Sequence, residues 1–194
     1  MIIEAQHNKF KVKLDLYNYK ESEIQIIENA VIHMAKAMGD PEFEYFCRNH
    51  EYEIEESTGF WLWKKTNKKK YIGFHMNEGL TGYQIYTRLM NGAEMEPDET
   101  EEDQEADIFL KIDRSYGGSV IGYTYSTTKW QWIYQRILDT WDYWDVSGNL
   151  AHEWCHKIGF EHESGSFSNN PAKKFSVPYS VGYYVRDFVK NKLD

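Results

Sequence analysis

Cysteine is scarce in this chain. Only Cys47 and Cys155 occur in 194 residues, too few for the bridge-dense scaffolds of small secreted domains. Both read as buried structural thiols. Long apolar runs are absent too: nothing approaches the roughly 18 consecutive apolar residues of a membrane-spanning helix. Met1 to Tyr19 alternates apolar residues with Lys, Asp and Asn and lacks the apolar stretch and small-residue cleavage site of a secretory signal. A cytoplasmic or phage-associated setting with no membrane partner is expected. Positive charge is also in short supply. Lys and Arg number 22 against 31 Asp and Glu, a formal net charge of −9, which speaks against nucleic acid as a partner.

What is present suffices for a core. Hydrophobic residues make up 41% and aromatics 16%, and the length fits one domain, expected as a monomer. Phe10, Val12, Leu14 and Leu16 alternate with polar residues over 8–17, which predicts a half-buried strand. Glu21 to Met38 changes to helical spacing and is stopped at Gly39-Asp40-Pro41, with a further helical turn over Phe43–Cys47. Phe60–Trp63 and Lys70–Phe74 predict a hairpin around a basic tip at 64–69, and Thr81 to Met90 a helix closed by Asn91-Gly92. Nine carboxylates crowd into 94–107 and read as a solvated, self-repelling loop. Strands are expected at 108–112, 120–125 and 130–138, an aromatic connection at 139–145, a loop at 164–178 and a closing helix at 183–193. The mixture is an α+β fold.

The chemistry concentrates in 151–163, Ala-His-Glu-Trp-Cys-His-Lys-Ile-Gly-Phe-Glu-His-Glu. A helix is expected over about 147–159, with Ser147 as N-cap and Gly159 as a left-handed end. His152 and His156, four apart, then share one face one turn apart, and both imidazoles can reach a single ion. Glu153 flanks that face, placed to touch a metal-bound water without becoming a ligand. Leu150 and Trp154 point to the other side, into the core. After the turn at Gly159, His162 can supply a third nitrogen. No Glu follows Glu163, so the alternative third carboxylate is limited to Asp187 or Asp194. Three neutral imidazoles and an open position suit a hydrolytic Zn²⁺, with Glu153 as general base. His7, His33, His50 and His75 have no spaced partners and read as ordinary surface or core residues.

His152-Glu153-x-x-His156-x-x-Gly159-x-x-His162 resembles the signature of the metzincin clan of zinc peptidases, and Phe160 with Glu163 makes it similar to the astacin version. The resemblance implies a zinc-dependent endopeptidase acting on a protein or peptide. It also implies a metzincin-like fold, with a twisted mixed sheet and helices above a zinc-binding helix. An N-terminal subdomain would span 1–162 and a small C-terminal one 163–194. Ile121–Tyr125 would lie on the upper rim of the cleft, where a sheet edge pairs with extended substrate. One element departs from the pattern. The clan places a Met in a tight turn beneath the metal, and no Met follows Met95. Ser180–Tyr184 matches that turn's spacing, with Gly182 in the Met position and Tyr184 as a metal-side tyrosine that could hydrogen-bond an oxyanion. Tyr179 and Tyr183 are the alternatives. Two other functions share the zinc: hydrolysis of another amide, such as a cell-wall crosslink, and a non-catalytic zinc-containing binding module.

Overall fold

A computed structural model of the chain describes residues 1–58, 65–77, 79–92, 94, 104–118, 120–125, 127–163 and 170–193. The chain opens with an antiparallel hairpin, β1 (Ile2–His7) and β2 (Phe10–Tyr17), turned at Asn8 in the left-handed region. The alternation of β2 buries Phe10, Val12, Leu14 and Leu16 completely or nearly so. The helix α1 (Glu21–Gly39) lays Ile27, Ala30, Val31 and Met34 on that face. It ends as expected before α2 (Pro41–Arg48), whose N-cap is the Asp40 side chain.

The main sheet is twisted and mixed, in the order β1-β2-β5-β7-β6, built from β5 (Glu105–Asp113), β6 (Gly122–Thr124) and β7 (Trp130–Tyr134). β2, β5 and β7 run parallel, and β1 and β6 close the two sides antiparallel. One face packs on α1 and on α5 (Tyr143–Lys157). The other carries half-buried aromatics, with Tyr123 stacked on Trp132 at 4.9 Å and Tyr17 against Trp130 at 4.6 Å. α6 (Val177–Phe188) packs across α5 from the far side. A second sheet pairs β3 (Glu51–Thr58) with β4 (Lys65–Ile72). α3 (Gly82–Asn91) has the capping box of Thr81 and Gln84, and the left-handed Gly92 ends it.

Several expectations are corrected. The strand expected over 130–138 stops at Tyr134, and Gln135–Thr140 form the short helix α4. The helix expected over about 147–159 starts at Tyr143, four residues early, so Ser147 is interior and not the N-cap. Its hydroxyl instead donates to the carbonyls of Ala30 and Tyr143, tying α5 to α1. Of the lysines expected at a hairpin tip, Lys65, Lys68 and Lys69 lie within β4, where Lys68 and Lys70 stand opposite Glu55 and Glu53, and Lys64 lies outside the described residues. Opposite charges across a ladder explain why so polar a segment forms strands. Phe60–Trp63 lies outside the described residues. So does most of the acidic segment, but its ends do not behave as solvated loop: Glu94 is buried and Glu105–Asp107 belong to β5. Val177 to Gly182, expected partly as loop, already belongs to α6, preceded by a 3₁₀ turn at Pro171–Phe175. Cys47 and Cys155 are free and buried. No helix among the described residues is long and apolar enough to cross a membrane.

Candidate metal centre

The back of α5 fixes its front. Val146, Leu150, Ala151, Trp154 and Ile158 are buried in the core. Trp154 meets Phe10 edge-on at 5.7 Å, and its indole N–H donates to Glu94 Oε1 at 2.5 Å. That anchoring turns Asp145, Gly148, Asn149, His152, Glu153 and His156 toward a cavity of about 900 Å³. The helix ends at Lys157, and Gly159, at φ +85°, reverses the chain. Phe160 is fully buried, and His162 returns to the same cavity.

One nitrogen from each of His152, His156 and His162 lies within 4.8 Å of the other two. The Nε2 atoms of His152 and His162 are 3.3 Å apart. Two nitrogens bound tetrahedrally to zinc at about 2.05 Å sit about 3.3 Å apart, so the spacing suits such an ion. Backbone carbonyls hold the rings from behind. Phe160 O is 2.7 Å from His156 Nδ1, Glu163 O is 3.1 Å from His162 Nδ1, and Pro178 O bonds the His152 ring. Such outer partners set the tautomer that leaves the facing nitrogen free for a metal. Burial is the largest cause that pushes all three imidazoles below their usual range, with neighbouring histidines adding to it at His152 and His162 and the Lys157 charge at His156. They are therefore neutral at pH 7, the form that ligates. Among the described residues no fourth His, Cys, Asp or Glu joins the group, and Asp187 pairs with Arg186 at 2.7 Å instead.

Glu153 lines the same cavity and is 7% exposed. Burial raises its carboxyl to about 8, against the pull of the Lys157 charge and a hydrogen bond from Asn149. Lys157, itself buried, donates to the carbonyls of Tyr125 (2.9 Å) and Thr128, pinning the turn after β6 to the end of α5. Gly122 at the other end of β6 abuts Asn149. Of the segment expected at the rim, Ile121–Thr124 line the cavity and Tyr125 does not, and no strand lies beyond β6 among the described residues.

The tyrosine order is reversed. Tyr184, the first choice, packs among Phe43 (5.3 Å), Phe46 (4.5 Å) and Phe188 (5.8 Å), away from the histidines. The expected turn at 180–184 is instead helical, and helical spacing sends Tyr184 to the core side of α6. Tyr179 is the tyrosine beside the histidines, its ring centroid 4.5 Å from that of His152 and 4.7 Å from that of His162. Tyr183 also lines the cavity, farther out. Gly182 packs against His152: a Cβ there would meet His152 Cβ at 3.1 Å and Gly148 O at 2.8 Å. Sequence reasoning missed Asn149, Asp145 and Lys173. Asn149 lies four residues before Glu153 and Asp145 seven before His152, so helical spacing already placed both on the ligand face. Lys173, 7% exposed, has no such signal.

No protein-family model, curated protein or solved structure matches this chain.

Proposed function

We propose that this chain is a zinc-dependent endopeptidase of the metzincin type. The observation that carries the reading is the convergence of three neutral imidazoles with Glu153 in a cleft bordered by a strand edge that is open among the described residues. The absence of a fourth ligand among the described residues favours a catalytic over a structural ion. The strand edge favours extended peptide over a compact amide, since Gly122 and Thr124 of the short β6 turn their backbone groups away from β7.

Zinc, when bound, would acidify a water, polarise the substrate carbonyl and, as a dication, favour the ionised form of Glu153. Glu153 Oε then accepts the proton of the attacking water and returns it to the leaving nitrogen. Asn149, bonded to that carboxyl, orients it. The Tyr179 hydroxyl donates to the oxygen on which negative charge develops, and Lys173, lining the same wall, adds positive potential.

The test combines elemental analysis with turnover of an unfolded protein substrate. About one zinc per chain, with cleavage lost on chelation and in a Glu153→Gln variant that keeps its metal, is the expected result. A metal-free protein refutes the centre. A zinc-loaded protein that cleaves neither unfolded proteins nor peptide libraries refutes the peptidase and points to another amide.

A further inference from the structure

The cavity extends well past the histidines, to Trp141, Asp145 and Arg186. Its direction relative to a bound peptide follows from contacts already described. Gly122 abuts Asn149 and the Tyr125 carbonyl accepts from Lys157, so β6 runs beside α5 in the same sense. A peptide adding to β6 antiparallel, the stronger pairing per residue, therefore runs against α5. Its residues after the scissile bond pass from His152 over Asn149 and Gly148 toward Asp145.

We infer that Asp145 selects a lysine or arginine immediately after the scissile bond; this rests on the peptidase reading above. Asp145 is seven residues before His152, a rise of roughly 10 Å along the same helix face. A lysine side chain carries its charge roughly 6 Å from its own Cα, so a residue seated beside the metal centre can reach that carboxylate. Gly148 and Gly182 present only backbone to this part of the cavity, and Trp141 offers an apolar wall for the methylene stem.

The charges there favour a cation. Asp145 makes no ion pair among the described residues, whereas Arg186 is held by Asp187 through Nε at 2.8 Å and Nη2 at 2.7 Å. Arg186 is the charge that acts most strongly on Asp145, followed by Asp142, Lys190 and Asp187. Three carboxylates thus face two cations. Burial raises the Asp145 carboxyl above its usual range, and a substrate cation would relieve that cost.

The test is a set of matched peptides differing only at the residue after the cut, Lys, Leu or Glu, cleaved by the zinc-loaded enzyme. Affinity for the Glu153→Gln variant provides a second readout independent of turnover. Lys should exceed Leu by about tenfold in kcat/KM and exceed Glu by more. In Asp145→Asn the Lys-to-Leu ratio should fall toward one, in Asp145→Lys the preference should move to Glu, and Asp145→Glu should restore it. Cleavage with no preference for Lys, or a preference confined to the residue before the cut, overturns the assignment and leaves the peptidase standing. Failure of every peptide both to be cleaved and to bind overturns the two together.

Discussion

Gly182→Ala tests whether the crossing of α5 and α6 is what seats the three imidazoles. A Cβ at 182 would lie 2.8 Å from the Gly148 carbonyl oxygen and 3.1 Å from His152 Cβ. Both neighbours belong to α5 and neither is the free end of a flexible side chain, so the helices must part by roughly half an ångström. Overpacking of this kind costs about 1–3 kcal/mol. Alanine returns about 1 kcal/mol in helix propensity, which leaves a net loss of about 1 kcal/mol. Moving His152 should also weaken zinc binding by about tenfold, the lower end of what loss of an outer partner does. Urea unfolding in chelator reads the first quantity, and competition with a chromogenic chelator reads the second. Gly148→Ala meets the Gly182 carbonyl at 2.6 Å and should act alike. The double variant should cost less than the sum, because one separation serves both. A Gly182→Ala protein about 1 kcal/mol more stable than the parent, with unchanged zinc affinity, would refute the close-contact argument.

Three further outcomes follow. Tyr179→Phe should lower kcat by at least about tenfold without loss of zinc; an unchanged rate removes the oxyanion role. Tyr184→Phe should leave kcat alone and raise stability by up to about 1 kcal/mol, since its buried hydroxyl finds no partner among the described residues; thermal unfolding reads this. Burial raises the Glu94 carboxyl from 4.5 to about 8, opposed by the Trp154 hydrogen bond. The folded chain therefore keeps a proton that the unfolded chain releases near pH 4.5, and stability is lost as pH rises from there through 8. Glu94→Gln should gain stability over the parent across that window, toward a ceiling of about 5 kcal/mol; parallel Tm profiles would contradict it.

Much of the site was legible because its signals are local. The ligand spacing 152, 156 and 162, the left-handed Gly159 and the core-facing Leu150 and Trp154 follow from helical geometry within one segment. The alternation of β2 and the caps of α2 and α3 are equally short-range. What escaped depends on distant partners. Ser147 left the N-cap for the Ala30 carbonyl, far away in sequence. Tyr179 and Tyr184 are five apart on one helix, and only the packing of α6 on α5 decides which meets the histidines. β1 carries little alternation of its own and becomes a strand through its pairing with β2. The Lys-rich β4 likewise takes its conformation from the glutamates opposite.

The three imidazoles all come from residues 152–162, and that compactness bears on folding as well as on chemistry. Bringing them together closes only short loops, at little entropic cost. On the proposed zinc reading the unfolded chain would retain part of its affinity for the ion, and zinc would stabilise the native state by less than its native Kd alone would dictate. The same residual affinity would give the ion a path into the chain before the fold is complete. Metal added during refolding should then be captured by the α5 segment early, with α6 closing beneath it afterwards.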